Sequence, residues 1–169
     1  MITDTLELGN PALRQVAAVV DDPRSSATQQ VIQDLRDTLR DFRARNGWGR
    51  ALGAPVIGVP QRIVLIEIDD QSIVLINPAF EHWSNEQDDA YESCITFPSL
   101  WGVVSRPVRV VVVALDETGT ARRWEADGPV ARVMQHEIDH LDGLIWLDRE
   151  PDVESICTNG EYRRRYRSG

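Results

Sequence analysis

Gln135-His136-Glu137-Ile138-Asp139-His140 sets two imidazoles four residues apart, with a carboxylate beside the first. On a helix, residues four apart lie one turn apart on the same face. His136 and His140 can therefore grip one metal ion, and Glu137 can reach a water on it. A bound divalent ion lowers the pKa of its water toward neutrality, and a neighbouring carboxylate can take the proton and return it. The chain has only three histidines, and two of them fall at this spacing. The plain alternative is an exposed helical pair without metal, but H-E-x-x-H is short and chemically specific.

Such a site needs a third protein ligand and an open position. Cys94, in Glu92-Ser93-Cys94-Ile95-Thr96, is the better candidate by softness, because a thiolate with two imidazoles suits Zn²⁺ or Fe²⁺. Taken alone, Cys94 reads more often as a buried apolar filler than as a ligand. Glu154 and Glu161 downstream are the alternative carboxylate ligands of a thermolysin-like site. His82 reads as a surface residue and Cys157 as a structural or tail residue.

The helix that carries this chemistry is expected from about Val130 to Leu141, opened by Gly128-Pro129 and ended at Gly143. A second, amphipathic helix is expected from Thr28 to about Arg45. Its apolar positions are Val31, Leu35, Leu39 and Phe42, with Thr28 as N-cap and Asn46-Gly47 as stop. Asp21–Ser26 reads as a loop, and Leu8–Arg14 as a turn with a short docking segment. Strand patterns cover Arg62–Ile68 and Ser72–Ile76, joined by an Asp69-Asp70-Gln71 turn, with Asn77-Pro78 ending the second. Val108–Leu115 pairs as a hairpin with Ala121–Ala126, and Leu144–Leu147 reads as a short closing strand. Gly47–Gly58 is glycine-rich and irregular, and Glu81–Tyr91 is polar. The class is α+β, with antiparallel strands packed around the H-E-x-x-H helix. One domain spans 1–169, with a short basic tail from about residue 160.

Composition narrows the function classes. The net charge is −9, which argues against nucleic acid as a direct partner. All 18 basic residues are arginine. Arg163-Arg164-Arg165 with Arg167 forms a basic cluster, read as a solvated tail or as a docking tail for an acidic or RNA-rich partner. The first residues lack the pattern of a signal peptide, and the apolar run Val110–Leu115 is far too short to span a bilayer. With two cysteines there is no disulfide framework, so a reducing cytoplasm is the expected compartment.

From about Leu8 to Arg149 the chain resembles peptide deformylases. That family carries G-x-G-L-A-A-P-Q, then E-G-C-L-S, then Q-H-E-x-D-H. The third motif is whole here and is followed by Leu141-Asp142-Gly143. The second is altered to Glu92-Ser93-Cys94-Ile95-Thr96, and Leu8–Arg14 is similar to the family's opening segment. The resemblance implies that Cys94, His136 and His140 bind one divalent ion, typically Fe²⁺ with Zn²⁺ or Ni²⁺ accepted. It implies that Glu137 is the acid/base and that the backbone N–H of Ile95 helps hold the oxyanion. The implied reaction removes an N-formyl group from the amino terminus of a new polypeptide, and the implied setting is the ribosome.

The first motif fits in one of two registers. Pro60-Gln61 keeps the family's glutamine but matches little else. The run Gly49-Arg50-Ala51-Leu52-Gly53-Ala54-Pro55-Val56 needs no gap before the next strand and puts Val56 at the glutamine position. In the family that amide donates to the oxyanion, and losing such a donor costs about 10²–10³ in turnover. Arg50 replaces a small apolar residue, and Trp101 stands where many members have an arginine. Arg50, Leu52, Val56 and Trp101 are therefore the candidate pocket residues. Arg50 suggests a substrate with an acidic group. Three functions are weighed: a deformylase or other formamide hydrolase acting on an N-formyl peptide or small formamide, a non-catalytic or weakly active metal-binding relative, and a zincin-type protease.

Overall fold

Strand β2 (Ile63–Ile68) sets the layering. In a strand, successive side chains point to opposite faces. Ile63 and Leu65 enter one apolar cluster, with Ile32, Leu35, Leu39 and Phe42 of helix α1 (Ser26–Asn46). Val64 and Ile66 enter another, with Ala131, Met134, Ile138 and Leu141 of helix α2 (Gly128–Leu141). The sheet between the helices is wholly antiparallel. Its order is β1 (Ala51–Gly53), β2, β3 (Gln71–Trp83), β6 (Arg109–Leu115) and β7 (Ala121–Asp127). A second antiparallel sheet runs β4 (Gln87–Glu92), β5 (Leu100–Pro107) and β8 (Asp152–Thr158). Helix α3 (Asn159–Arg165) follows it. These elements come from a computed structural model that describes residues 1–68 and 70–166. Asp69, of the turn before Gln71, and Arg167, of the basic cluster, lie outside the described residues.

Helix α1 starts earlier than its first hydrophobic residue suggests. Ser25, not Thr28, is the N-cap: its hydroxyl accepts the Thr28 N–H at 3.2 Å. Its buried face centres on Ile32, Leu35, Leu39 and Phe42, with Val31 at the edge of the cluster. Gly47 ends the helix with φ +74°, a left-handed conformation that glycine adopts without steric cost.

Asn77-Pro78 does not end β3, which continues to Trp83. Asn77 takes φ +52°, and the pairing with β6 shifts register between Ile76 and Ala79. The Asn77 amide donates to the Val20 carbonyl at 2.9 Å and accepts the Val20 N–H at 2.8 Å. A side chain thus does the work of backbone pairing at a bulge, where a proline is tolerated. Leu144–Leu147 is not a strand either. Trp146–Arg149 forms a 3-10 turn, with the Ile145 N–H bonded to Asp148 Oδ2 at 2.8 Å. Ile145 and the fully buried Trp146 fill a third cluster with Cys94, Phe97 and Val104. This short apolar run is core under the second sheet. Within Gly47–Gly58, Ala51–Gly53 forms β1 and Ala54–Ile57 a 3-10 turn.

Candidate metal centre

Helix α2 packs on β1, β2, β6 and β7 of the first sheet and on β5 of the second. Pro129 stands in its first turn, where a missing N–H costs nothing. Residues Met134 to Leu141 are all buried, so His136, Glu137 and His140 sit between the sheets. Cys94 arrives from the turn after β4, with 3% of its surface exposed, and His140 has 1%. Cys94 Sγ lies 3.2 Å from His140 Nε2, and the Thr96 hydroxyl donates to Cys94 Sγ at 3.0 Å. One ligand atom from each of Cys94, His136 and His140 falls within 4.8 Å of the others. Such a set could hold one ion with a position open on the cleft side.

The charges in this cluster depend on one another. Burial pushes the Cys94 thiol up, but the imidazoles of His140 and His136 outweigh it and hold the thiol well below its ordinary value. Burial opposes charge on both imidazoles. Cys94 reverses this at His140, and Cys94 with Glu92 reverses it at His136, so both histidines are raised. A thiolate shared by protonated imidazoles is a pair whose protons a divalent cation would displace. Burial pushes Glu137 above the usual carboxylate range. Its Oε2 is buried with no hydrogen-bond partner, which suits a group waiting for a water or substrate proton. Strand β1 runs alongside: a methyl group on Gly53 would lie 3.4 Å from Glu137 Oε2 and 3.7 Å from His140 Cβ.

Glu92 organises the histidine that faces the cleft. Its Oε2 lies 3.0 Å from His136 Nδ1, which leaves Nε2 for an ion. Arg106 grips the same carboxylate in fork geometry, at 2.6 and 3.0 Å, and Arg132 adds a bond at 2.7 Å. Arg106 also donates to Asp139 Oδ2 at 2.9 Å, and Arg149 Nε to the same oxygen at 3.0 Å. Burial opposes ionisation of Glu92, but His136 and Arg106 prevail and hold it well below the usual range. Sequence reading missed this network. Its signal was present, since Glu92 and Asp139 lie inside the two motifs, but Arg106 lies 14 and 33 residues from its two partners.

The cluster opens on a cleft of about 520 Å³ lined by Arg50, Trp101, Trp48, Tyr91 and Tyr162, among others. Arg50 and Trp101 thus stand on the cleft wall, and Leu52 and Val56 do not. Leu52 points to the α1 side of the sheet, opposite to Ala51. Val56, 1% exposed, packs in the same cluster as Ile95. Gln61 is bridged to Ala18 and is likewise not on the cleft wall. The Ile95 N–H has no backbone carbonyl partner among the described residues. Glu154 is exposed on β8, and Glu161 is engaged by Arg164 and Arg165 at 2.7 and 2.9 Å. The metal-competent group of three among the described residues is Cys94, His136 and His140.

A buried H-E-x-x-H helix facing a cysteine defines the class: three donors that could hold one ion, with the Glu137 carboxylate beside them. Residues 2–155 match the family described as polypeptide deformylase. Peptide deformylase 1 of Prochlorococcus marinus is 38% identical over 171 residues, 95% of this chain and 86% of that protein. The peptide deformylase of Caldicellulosiruptor bescii is 42% identical over 138 residues, 78% of this chain and 80% of that protein. The crystal structure of a peptide deformylase from Synechococcus elongatus in complex with actinonin is similar at a TM-score of 0.81 and 33% identity. The match covers 87% of this chain and 78% of that one. The chain belongs to the polypeptide deformylase family.

Proposed function

We propose that this protein is a metal-dependent hydrolase that removes the N-formyl group from formylated peptides, with Cys94, His136 and His140 as the metal ligands. The observation that carries the reading is the convergence of these three donor atoms within 4.8 Å, beside the buried, unpartnered oxygen of Glu137. Membership of the deformylase family supports it.

The donor set, one thiolate with two imidazoles, fits Fe²⁺, Zn²⁺ or Ni²⁺. A bound ion supplies Lewis acidity toward a water and toward the formyl carbonyl. Glu137 takes the proton of the attacking water at its carboxylate. It returns that proton to the amine nitrogen as the C–N bond breaks, giving formate and a free amine. Its raised affinity for a proton suits both halves of that transfer. The Ile95 N–H donates to the carbonyl oxygen as negative charge builds there. Glu92 fixes the tautomer and orientation of His136. Val56, packed in the apolar cluster off the cleft wall, offers no amide to the oxyanion. Arg50, exposed on the cleft wall and without an acidic partner among the described residues, favours substrates with an anionic group near the formylated residue.

The setting of such an enzyme is the cytoplasm, close to the ribosome. No helix among the described residues is long and apolar enough to cross a membrane. The site assignment is tested by Cys94→Ala. Expected is a folded protein that has lost most of its bound metal. Unchanged metal content would remove Cys94 from the site and revive the zincin alternative.

A further inference from the structure

The cleft has a wall that the hydrolytic chemistry leaves unused. Trp101 of β5 and Tyr162 of α3 lie face to face, with centroids 3.9 Å apart and rings 2° from parallel. Trp48 adjoins Trp101 at 5.6 Å, and Phe42 of α1 backs Trp48 edge-on at 5.1 Å. All three wall residues, Trp48, Trp101 and Tyr162, are half-buried and line the same cleft as His136 and Glu137.

The chain spends several contacts on holding this wall in place. Pairing of β5 with β8 sets Trp101 opposite Cys157, one residue before the α3 cap. The Asn159 N–H donates to the Ser99 carbonyl at 2.8 Å, and the Trp101 indole N–H donates to Asn159 Oδ1 at 3.3 Å. Arg163 reaches the Asn46 carbonyl at the end of α1 at 3.4 Å. Tyr166 packs on Tyr91 at 4.7 Å behind the stack. Helix α3 is thus strapped across the mouth of the cleft, from the second sheet to the end of α1. The faces of Trp101 and Tyr162 cover each other, and the ring edges left toward the cleft are pre-ordered, so they lose little freedom when a ligand packs on them.

We propose that the Trp48–Trp101–Tyr162 wall is a specificity surface that holds an aromatic or flat apolar side chain on the second or third residue of the formylated peptide. The occupant is the substrate itself, because the wall is continuous with the cleft that contains the metal cluster. The inference rests on the hydrolase reading above for what enters the cleft, and it adds which substrates are preferred.

The test uses metal-loaded protein and three formyl-methionyl tripeptides: one with alanine at both later positions, one with tryptophan second, and one with tryptophan third. Expected is a preference of about threefold to tenfold in kcat/KM for one tryptophan peptide over the alanine peptide, carried by KM. Tyr162→Ala brings that ratio close to one, and Tyr162→Phe keeps it. The same order is expected in calorimetric binding of the three peptides without the formyl group, which needs no turnover. Equal affinities in the unaltered protein, or a preference that persists in folded Tyr162→Ala, would overturn the proposal. If no peptide releases formate, the hydrolase reading fails, and the binding series still decides the wall.

Discussion

At the scale of single residues, the candidate site depends on a buried carboxylate that holds His136 in place. Glu92 binds His136, Arg106 and Arg132 at once. Removing a partner of this kind typically costs 10–100-fold in metal affinity. Glu92→Gln is therefore expected to weaken metal binding by that factor, measured by competition with a chelator, while Cys94 and both histidines stay in place. The same group makes a pH signature. Its folded-state pKa is depressed, so its contribution to stability is complete above the ordinary carboxylate value of about 4.3. That contribution is lost as pH falls below this value toward the folded one. Acid unfolding should begin at higher pH in Glu92→Gln than in the unaltered protein, and coincident acid transitions would contradict the role. The three candidate ligands that the fold brings together were legible in sequence, because i,i+4 spacing is a local signal and the cysteine motif is distinctive. The Glu92–Arg106–Asp139 network was not, because nothing local pairs residues tens of positions apart.

Among the elements, the strand and helix patterns with one buried face were readable. α1, α2, β2 and the β6–β7 hairpin lie close to where periodicity puts them. What failed was punctuation. Asn77-Pro78 looked like a stop because the partner of the Asn77 amide, Val20, is 57 residues away. Leu144–Leu147 looked like a strand because a short apolar run reads alike as strand or as core. Strand β5, which carries Trp101, went unread, and its Gly102 is explained by tertiary packing. A methyl group there would lie 2.7 Å from the Trp146 ring, inside the cluster beneath Cys94. Gly102→Ala is expected to destabilise the protein by about 1–3 kcal/mol through overpacking, read as a lower denaturant midpoint, and no shift would contradict the packing account. Val56 makes an opposed pair of effects. Val56→Gln places an amide in an apolar cluster, at a cost of about 1–3 kcal/mol if it stays unpaired. If the longer side chain reaches past Ile95 into the cleft, its amide would add an oxyanion donor and raise turnover by about 10²–10³. A variant less stable yet faster on formyl-methionyl peptides is expected; one that is less stable and no faster would show that position 56 does not reach the oxyanion.

The whole molecule is acidic, at net charge −9, and carries its exposed Arg163-Arg164-Arg165 cluster on the helix that walls the cleft. Two of these arginines pair with Glu161 on the same helix. We propose that this cluster docks on ribosomal RNA. Docking is checked by salt-dependent sedimentation with ribosomes, comparing the full chain with one whose three arginines are changed to glutamine. Weaker, less salt-sensitive association of the variant is expected, and identical profiles would retire docking by this helix. Of the global architecture, the α+β class with antiparallel strands was visible from the order of elements. The division into two sheets with α2 between them was not, since β4, β5 and β8 carry weak patterns and β8 joins β5 across a long stretch of chain.

Formate release measured beside metal content tests the central claim most directly. Protein loaded anaerobically with one Fe²⁺ or Ni²⁺ per chain would be incubated with a formyl-methionyl tripeptide, and formate and free amine counted together. Expected are equal amounts of the two, abolished by chelation. In Glu137→Gln they should fall about 10²–10⁴-fold with the metal still bound. Fully loaded protein that releases no formate, or a Glu137→Gln variant as fast as its parent, would contradict a hydrolase built on His136, Glu137, His140 and Cys94.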